Sequence, residues 1–311
     1  MRRNFLNGNL IGALVILLIL SIAAGAAGEE RTDAGGQWTY VLEEGGAAIT
    51  GYVKEPVGAL TIPEQLDAYP VTRIGYMVFG MCQGLTSVVI PDSVRIIDLA
   101  AFEYCENLTA VTLPDGLEVI GESAFYYCFA LKDITIPDSV TSIGYGAFTG
   151  CGLTAILIPK GITVIDEYVF SQCFRLSSVT FPDTLTEISE SAFFSNNSLT
   201  GLVIPDSVTN LGSGAFEQCT SLTNVIIPDS VTSIGSSAFA WCSELTSVTI
   251  PASVTNIGDH AFDPPNSVYP GDEVDPEVLY GSNKLVLTVE KGSAAERFAL
   301  ENGIPYVLAA K

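Results

Sequence analysis

The chain has 311 residues, 48% of them apolar, enough to bury a large core. Its 13 Lys and Arg stand against 35 Asp and Glu, a formal net charge of −22. That balance excludes nucleic acid, which needs a basic footprint, and disfavours adsorption to anionic membrane; it keeps an exported protein soluble.

Arg2 and Arg3 precede a nearly unbroken apolar run over residues 10–27, and small residues then lead into Glu29 and Glu30. A basic start, an apolar middle and a small-residue exit make residues 1–28 a secretory signal, with Ala24 and Ala26 suited to the cut. The run also approaches the length of a membrane span, so an uncleaved N-terminal anchor is the alternative and the one route to a membrane. Both readings place the rest of the chain outside the cytoplasm, secreted or at the cell surface. No cysteine precedes Cys82, so a lipid-modified N-terminal cysteine is excluded. Residues 29–36 read as a short flexible lead. Residues 38–42 and 48–53 flank a Gly-containing turn and read as a β-hairpin. Together, residues 29–59 form a lead and hairpin cap for one end of the core.

A repeat then takes over residues 60–262. Prolines recur at Pro63, Pro91, Pro114, Pro137, Pro159, Pro182, Pro205, Pro228 and Pro251, at spacings of 28, 23, 23, 22, 23, 23, 23 and 23. Phenylalanines keep step at Phe79, Phe102, Phe125, Phe148, Phe170, Phe193, Phe216, Phe239 and Phe262. A fixed period of this length marks a leucine-rich solenoid. The long first interval holds an insertion over residues 64–70. The short one loses a residue between Cys151 and Leu153. Both changes fall in connections, where length changes cost little.

One copy, residues 222–242, shows the physics. Val225 and Ile227 alternate inward on a strand. Pro228 has no N–H and stops the ladder, and Asp229-Ser230 bends the chain. Val231 and Ile234 return inward through a second short strand. Gly235 turns the chain, and a short helical or 3-10 turn drops Phe239 into the core. A single coil cannot close a core, but coils stacked at roughly 4.8 Å bury one another's faces. Nine such steps make a core about 40 Å long. The expected fold is a leucine-rich repeat solenoid of right-handed stacked coils with a parallel β-sheet.

The run L-x-x-V-x-I-P-D-S-V-T-x-I-G-x-x-A-F-x-x-C resembles the BspA-type leucine-rich repeat family over residues 60–262. The resemblance implies a bacterial or protist protein of the cell surface or the medium, with some members acting as adhesins for host matrix proteins. The sequence departs from the commonest leucine-rich repeat, which places Asn or Cys two residues beyond the strand. Here that place is the bend, and the cysteine comes after the phenylalanine.

Beyond Phe262 the register breaks. Residues 263–283 are rich in Pro, Gly and acids and read as a surface loop. Residues 284–311 read as a βαβ cap: a strand over 285–289, a helix over 293–301 with Ser293 as N-cap and Gly303 past its end, and a strand over 304–308.

No chemistry-bearing constellation stands out. All seven cysteines (Cys82, Cys105, Cys128, Cys151, Cys173, Cys219 and Cys242) fall in one column, with Asn196 filling a gap. Their number is odd, and parallel side chains in adjacent coils oppose disulfide geometry, so they read as reduced, buried, slow-reacting thiols. The one histidine, His260, reads as an exposed turn residue. A column of aspartates (Asp92, Asp115, Asp138, Asp183, Asp206, Asp229) reads as solvated bends rather than a Ca²⁺ row. No cofactor, metal site or catalytic residue is expected. Two sequons, at Asn107 and Asn196, are short enough to arise by chance.

The outward strand positions are the default binding surface of a solenoid. Candidates are Asp133, Thr135, Leu157, Ser178, Thr180, Val203, Asn224 and Ile226, a face that is small, mildly apolar and nearly uncharged. It has no aromatic ladder of the kind that stacks sugars or nucleobases. The expectation is an exported, non-enzymatic protein-interaction scaffold, in its narrower form an adhesin, with a protein partner the repeat does not name. A structural spacer of the cell envelope is the alternative.

Overall fold

The computed structural model describes residues 28–264 and 285–310. The signal or anchor segment and nearly all of the acidic loop lie outside the described residues. No helix among the described residues is long and apolar enough to cross a membrane.

The repeats stack as a parallel β-solenoid, and three sides of each coil carry different structure. On the first side are the three- to five-residue strands that precede the proline, among them Ala110–Thr112, Ala155–Leu157, Gly201–Val203 and Asn224–Ile226. On the second side are two-residue strands such as Ile96–Ile97 and Ser233–Ile234. The period fixes the register, since partners across both sheets are one repeat apart, as in Asn224↔Ser247 and Ile234↔Ile257. Within the copy at residues 222–242, Leu222, Val225, Ile227, Val231, Ile234, Ala238, Phe239 and Cys242 are all buried.

The third side carries the phenylalanines. Its internal bonds are of 3-10 type, as from Ala238 N–H to Gly235 O and from Ala240 N–H to Ser237 O. Left-handed residues punctuate them, so no continuous helix forms. The coils of Phe79 to Phe239 have two each and that of Phe262 has one: the column of Met77, Ala100, Ser123, Tyr168, Ser191, Ser237 and His260, and the column of Met81, Tyr104, Tyr127, Gln172, Ser195, Gln218 and Trp241, all at φ between 52° and 63°. Glycine takes the same role at Gly146, Gly150 and Gly214. An L-residue gives up roughly 1–2 kcal/mol there. In return, alternate N–H groups line up along the solenoid. Ser237, Phe239 and Trp241 donate to Asp259, Ala261 and Asp263 O at 3.0, 2.8 and 2.7 Å. The same trio recurs at every junction from Met77 to Asp263. It holds consecutive rings of Phe79 through Phe262 at 5.0–5.5 Å, nearly parallel.

The cysteines belong to this side. Cys105, Cys128, Cys151, Cys173, Cys219 and Cys242 each donate S–H to the phenylalanine carbonyl of the preceding coil, at 3.0–3.3 Å. They are free and buried, as expected. Each S–H also adds a second donor to a carbonyl that already has one, as Phe79 O accepts from Cys82 N–H at 3.1 Å, a role their reading as small apolar groups leaves out. Asn196 supports this. Fully buried, it replaces the thiol and donates Nδ2–H to Phe170 O and Phe193 O at 2.9 and 2.8 Å. Its sequon is therefore out of reach in the folded chain.

Both ends of the phenylalanine column are covered. Strands β2 (Trp38–Glu43) and β3 (Gly46–Tyr52) form the antiparallel hairpin, and β3 pairs parallel with Tyr69–Ile74. Trp38 meets Phe79 edge-on at 6.0 Å, and Tyr52 stacks on it at 6.0 Å. The lead is not loose. Its strand β1 (Arg31–Thr32) pairs with β2, and Asp33 accepts N–H groups from Gly35, Gln37 and Trp38. The insertion after Pro63 has a structural task here. Asp67 accepts from Tyr40 Oη at 2.6 Å and from Ala34 N–H at 2.8 Å, tying the hairpin to the first coil. At the other end Val286–Val289 and Tyr306–Leu308 extend the strand side in parallel around helix α1 (Ala294–Glu301). Ser293 caps α1, and Phe298 meets Phe262 edge-on at 6.2 Å.

Phe170→Ala, in mid-stack, lowers unfolding free energy by about 3–5 kcal/mol, whereas Asp229→Ala on the exposed bend changes it by less than about 0.5 kcal/mol. Urea titration of both variants checks the contrast. Burial pushes the Cys105, Cys173 and Cys219 thiols up to about 12. Unfolded thiols ionise near pH 8.5, so the folded state holds protons that the unfolded state releases. Stability from these groups is fully present below about pH 8.5 and falls toward pH 12, by up to about 1.4 kcal/mol per pH unit for each thiol. Urea midpoints at pH 7 and pH 10 should diverge less in a C105A/C173A/C219A variant. Rapid alkylation of native protein at pH 8 would contradict the buried ladder.

Candidate functional site

The first side positions every candidate residue. In a strand ending at proline, one set of side chains fills the core and the other faces water. Leu157, Val203 and Ile226 are 63%, 67% and 51% exposed, while Ile156, Leu202 and Val225 beside them are buried. Ser178, Thr180 and Asn224 are also exposed. Ala155 pairs with Ser178 and Leu157 with Thr180; Val203 pairs with Ile226.

The sequence reading differs from the structure at two of the eight. Asp133 and Thr135 are exposed but lie in no strand, because residues 131–137 have an irregular path. Asp and Lys fit a pleated sheet poorly, and Lys132-Asp133 enters this segment. The strand side therefore splits into three sheets. One ends at Ala110–Thr112, a second holds Ala155–Leu157 and Ser178–Thr180, and a third begins at Gly201–Val203. The second side also breaks, between Ser142–Ile143 and Val164–Ile165, at the coil one residue short. The third side is not interrupted: Phe125 N–H donates to Ala147 O at 2.8 Å and Phe148 N–H to Val169 O at 2.9 Å. The candidates thus fall into three groups rather than one continuous face.

At the first split a cleft of about 410 Å³ opens, lined by residues 109–113 on one side and by Asp133, Ile134 and Thr135 on the other. Val111, Leu113 and Ile134 are only partly buried, whereas Val88 and Ile90 in the preceding coil are buried.

The third side carries a feature the sequence reading missed. Tyr104 stacks on Tyr127 at 5.5 Å, Tyr126 meets both edge-on, and Phe129 lies 5.1 Å from Tyr127. Tyr127 crosses above Gly150, where a Cβ would run into its ring, and donates its hydroxyl to Gln172 Oε1 at 2.7 Å. Tyr145 and Tyr168 lie 5.3 Å apart. Burial first, then Tyr168 and the carboxylates of Glu167, Glu190 and Glu122, push the Tyr145 phenol up. The signal was present: tyrosines cluster at the variable turn positions of consecutive copies, whereas later copies carry Ser, Gly and Gln there.

The remaining candidates are quiet. No group of three or more His, Cys, Asp or Glu among the described residues could hold a metal ion. His260 is partly exposed and pairs with Asp263 at 2.7 Å. Asp138 accepts from Lys160 N–H at 3.3 Å across one coil.

Comparison with known proteins agrees with the fold. The sequence profile of the BspA type Leucine rich repeat region matches in six copies over residues 59–174 and 141–268. A leucine-rich repeat protein from Bacteroides ovatus is similar at 29% identity and a TM-score of 0.70, over 83% of this chain and 64% of that one. The chain therefore spans under two thirds of that relative's length. A leucine rich cell surface protein from Faecalibacterium prausnitzii is 34% identical with a TM-score of 0.63, over 76% of this chain and 74% of that one. No curated protein matches. With the profile covering residues 59–268 and the solenoid built on its columns, the chain belongs to the BspA-type leucine-rich repeat family.

Proposed function

We propose that this chain is an exported, non-enzymatic protein-interaction scaffold, acting in its narrower form as a cell-surface adhesin for host or neighbouring-cell proteins. The observation that carries this reading is the outward strand side. Leu157, Val203 and Ile226 stand exposed among uncharged Ser178, Thr180 and Asn224 on a rigid backbone. Apolar groups fixed in this way gain contact area on docking with little loss of conformational freedom. Family membership supports a scaffold. The description of the Faecalibacterium prausnitzii relative as a cell surface protein supports the location. The signal-like residues 1–28 support export.

A spacer role in the cell envelope is the second reading, favoured by the length of the apolar run over residues 10–27. N-terminal sequencing of the exported protein separates the two: a start near residues 27–29 means release.

The test is a binding screen of the full chain against matrix and surface proteins, repeated with an L157D/V203D/I226D variant. A partner of the strand side loses at least tenfold in affinity with the variant. A screen with no partner, or one indifferent to all three substitutions, overturns the reading.

A further inference from the structure

We infer that the cleft between residues 109–113 and 132–136 is a binding site for an extended, basic polypeptide segment, which completes the interrupted sheet as an added strand. The backbone makes the first argument. Residues 109–113 make no backbone hydrogen bond to residues 132–136, all of them described residues. At several junctions the residue before the proline donates across, as Ile90 does to Thr112 O at 3.1 Å and Ile158 to Thr180 O at 2.9 Å, whereas Ile136, Phe181 and Ile227 do not. Leu113 makes no such bond. In a parallel ladder successive residues turn their N–H and C=O to opposite sides. Thr112 faces the strand Leu85–Val89, so Val111 and Leu113 face the cleft. The exposed groups are a strand edge, and what satisfies a strand edge is another main chain.

The side chains define the occupant further. Val111, Leu113 and Ile134 are half-buried and accept apolar residues on the inward side of an added strand. Asp115 and Asp133 line the same cleft, and no salt bridge among the described residues involves either. They select lysine or arginine on the outward side. The volume of about 410 Å³ suits a few residues of extended chain, and the edge Ala110–Thr112 is three residues long.

The inference deepens the scaffold reading by naming a partner chemistry, but it rests on residues that reading does not use. The test is calorimetric titration of the full chain, at physiological salt, with a blocked hexapeptide of alternating valine and lysine. A version N-methylated on alternate amides keeps the charge and loses the donors. It should bind at least tenfold more weakly. Ala110→Trp fills the cleft without altering charge and should also lose at least tenfold. Asn224→Trp, at the equivalent place on a closed part of the sheet, should change affinity less than twofold. Asp133→Asn should weaken binding several-fold. Equal binding of the N-methylated peptide, no effect of Ala110→Trp, or no binding of the parent peptide overturns the inference. The L157D/V203D/I226D variant should bind the hexapeptide as the parent does, so failure here is distinct from failure of the strand-side reading.

Discussion

The stack depends on the hydrogen-bond trio that joins each coil to the next along the phenylalanine side. It runs without a break from Met77 to Asp263, through the coil that is a residue short and past both splits in the strands. Everything else hangs from it. The trio requires two left-handed residues per coil, and the chain bears that strain at serine, tyrosine, glutamine and tryptophan as well as glycine. Strain repeated in register and matched by bonds in register is stable because each coil is held by both neighbours.

Once that side is fixed, the strand side has freedom to vary. It is tied to the next coil through short strands of three to five residues, and where Lys132-Asp133 replaces good β-formers the tie fails locally. The core does not collapse, because Phe102, Phe125 and Phe148 still stack at 5.3–5.4 Å beneath the opening. Division of labour between a continuous spine and an interruptible face lets such a solenoid carry openings that a two-layer sandwich could not tolerate.

The architecture was legible in the sequence because its columns are hydrophobic and the period is rigid. The prolines placed the strand ends, the alternation placed Val225 and Ile227 inside, and the phenylalanine column placed the core. What was illegible has physical causes. Left-handed conformations at Tyr104 or Trp241 leave no trace, since the residues there are not the glycine or asparagine that such positions favour. The glycines at 146, 150 and 214 were the one hint. The thiol donors were hidden because cysteine serves equally as a small apolar residue; Asn196, a buried donor in the same column, was the clue. The split at Asp133 was hidden because Lys132-Asp133 occupies positions that the hydrophobic columns leave free, so the period runs through it unchanged. The order of the lead is hidden because it rests on polar contacts: Arg31–Thr32 pairs with Trp38–Glu43, Asp33 accepts from Gly35, Gln37 and Trp38, and Ala34 reaches Asp67, far off in sequence.

The direction of the trio has a further consequence. Its peptide groups all point the same way, with N–H toward the C-terminal end and C=O toward the N-terminal end. Their dipoles therefore add along the axis rather than cancelling as in a flat sheet. The solenoid is electrically polar, positive where the last repeat ends. Asp259 and Asp263, in that last repeat, carry the sign of charge such an end stabilises. The two ends are thus chemically unlike: one needs donors to close it and the other acceptors. A repeat inserted anywhere in the middle keeps the alignment, so a polar rod of this kind can change length without changing either terminus.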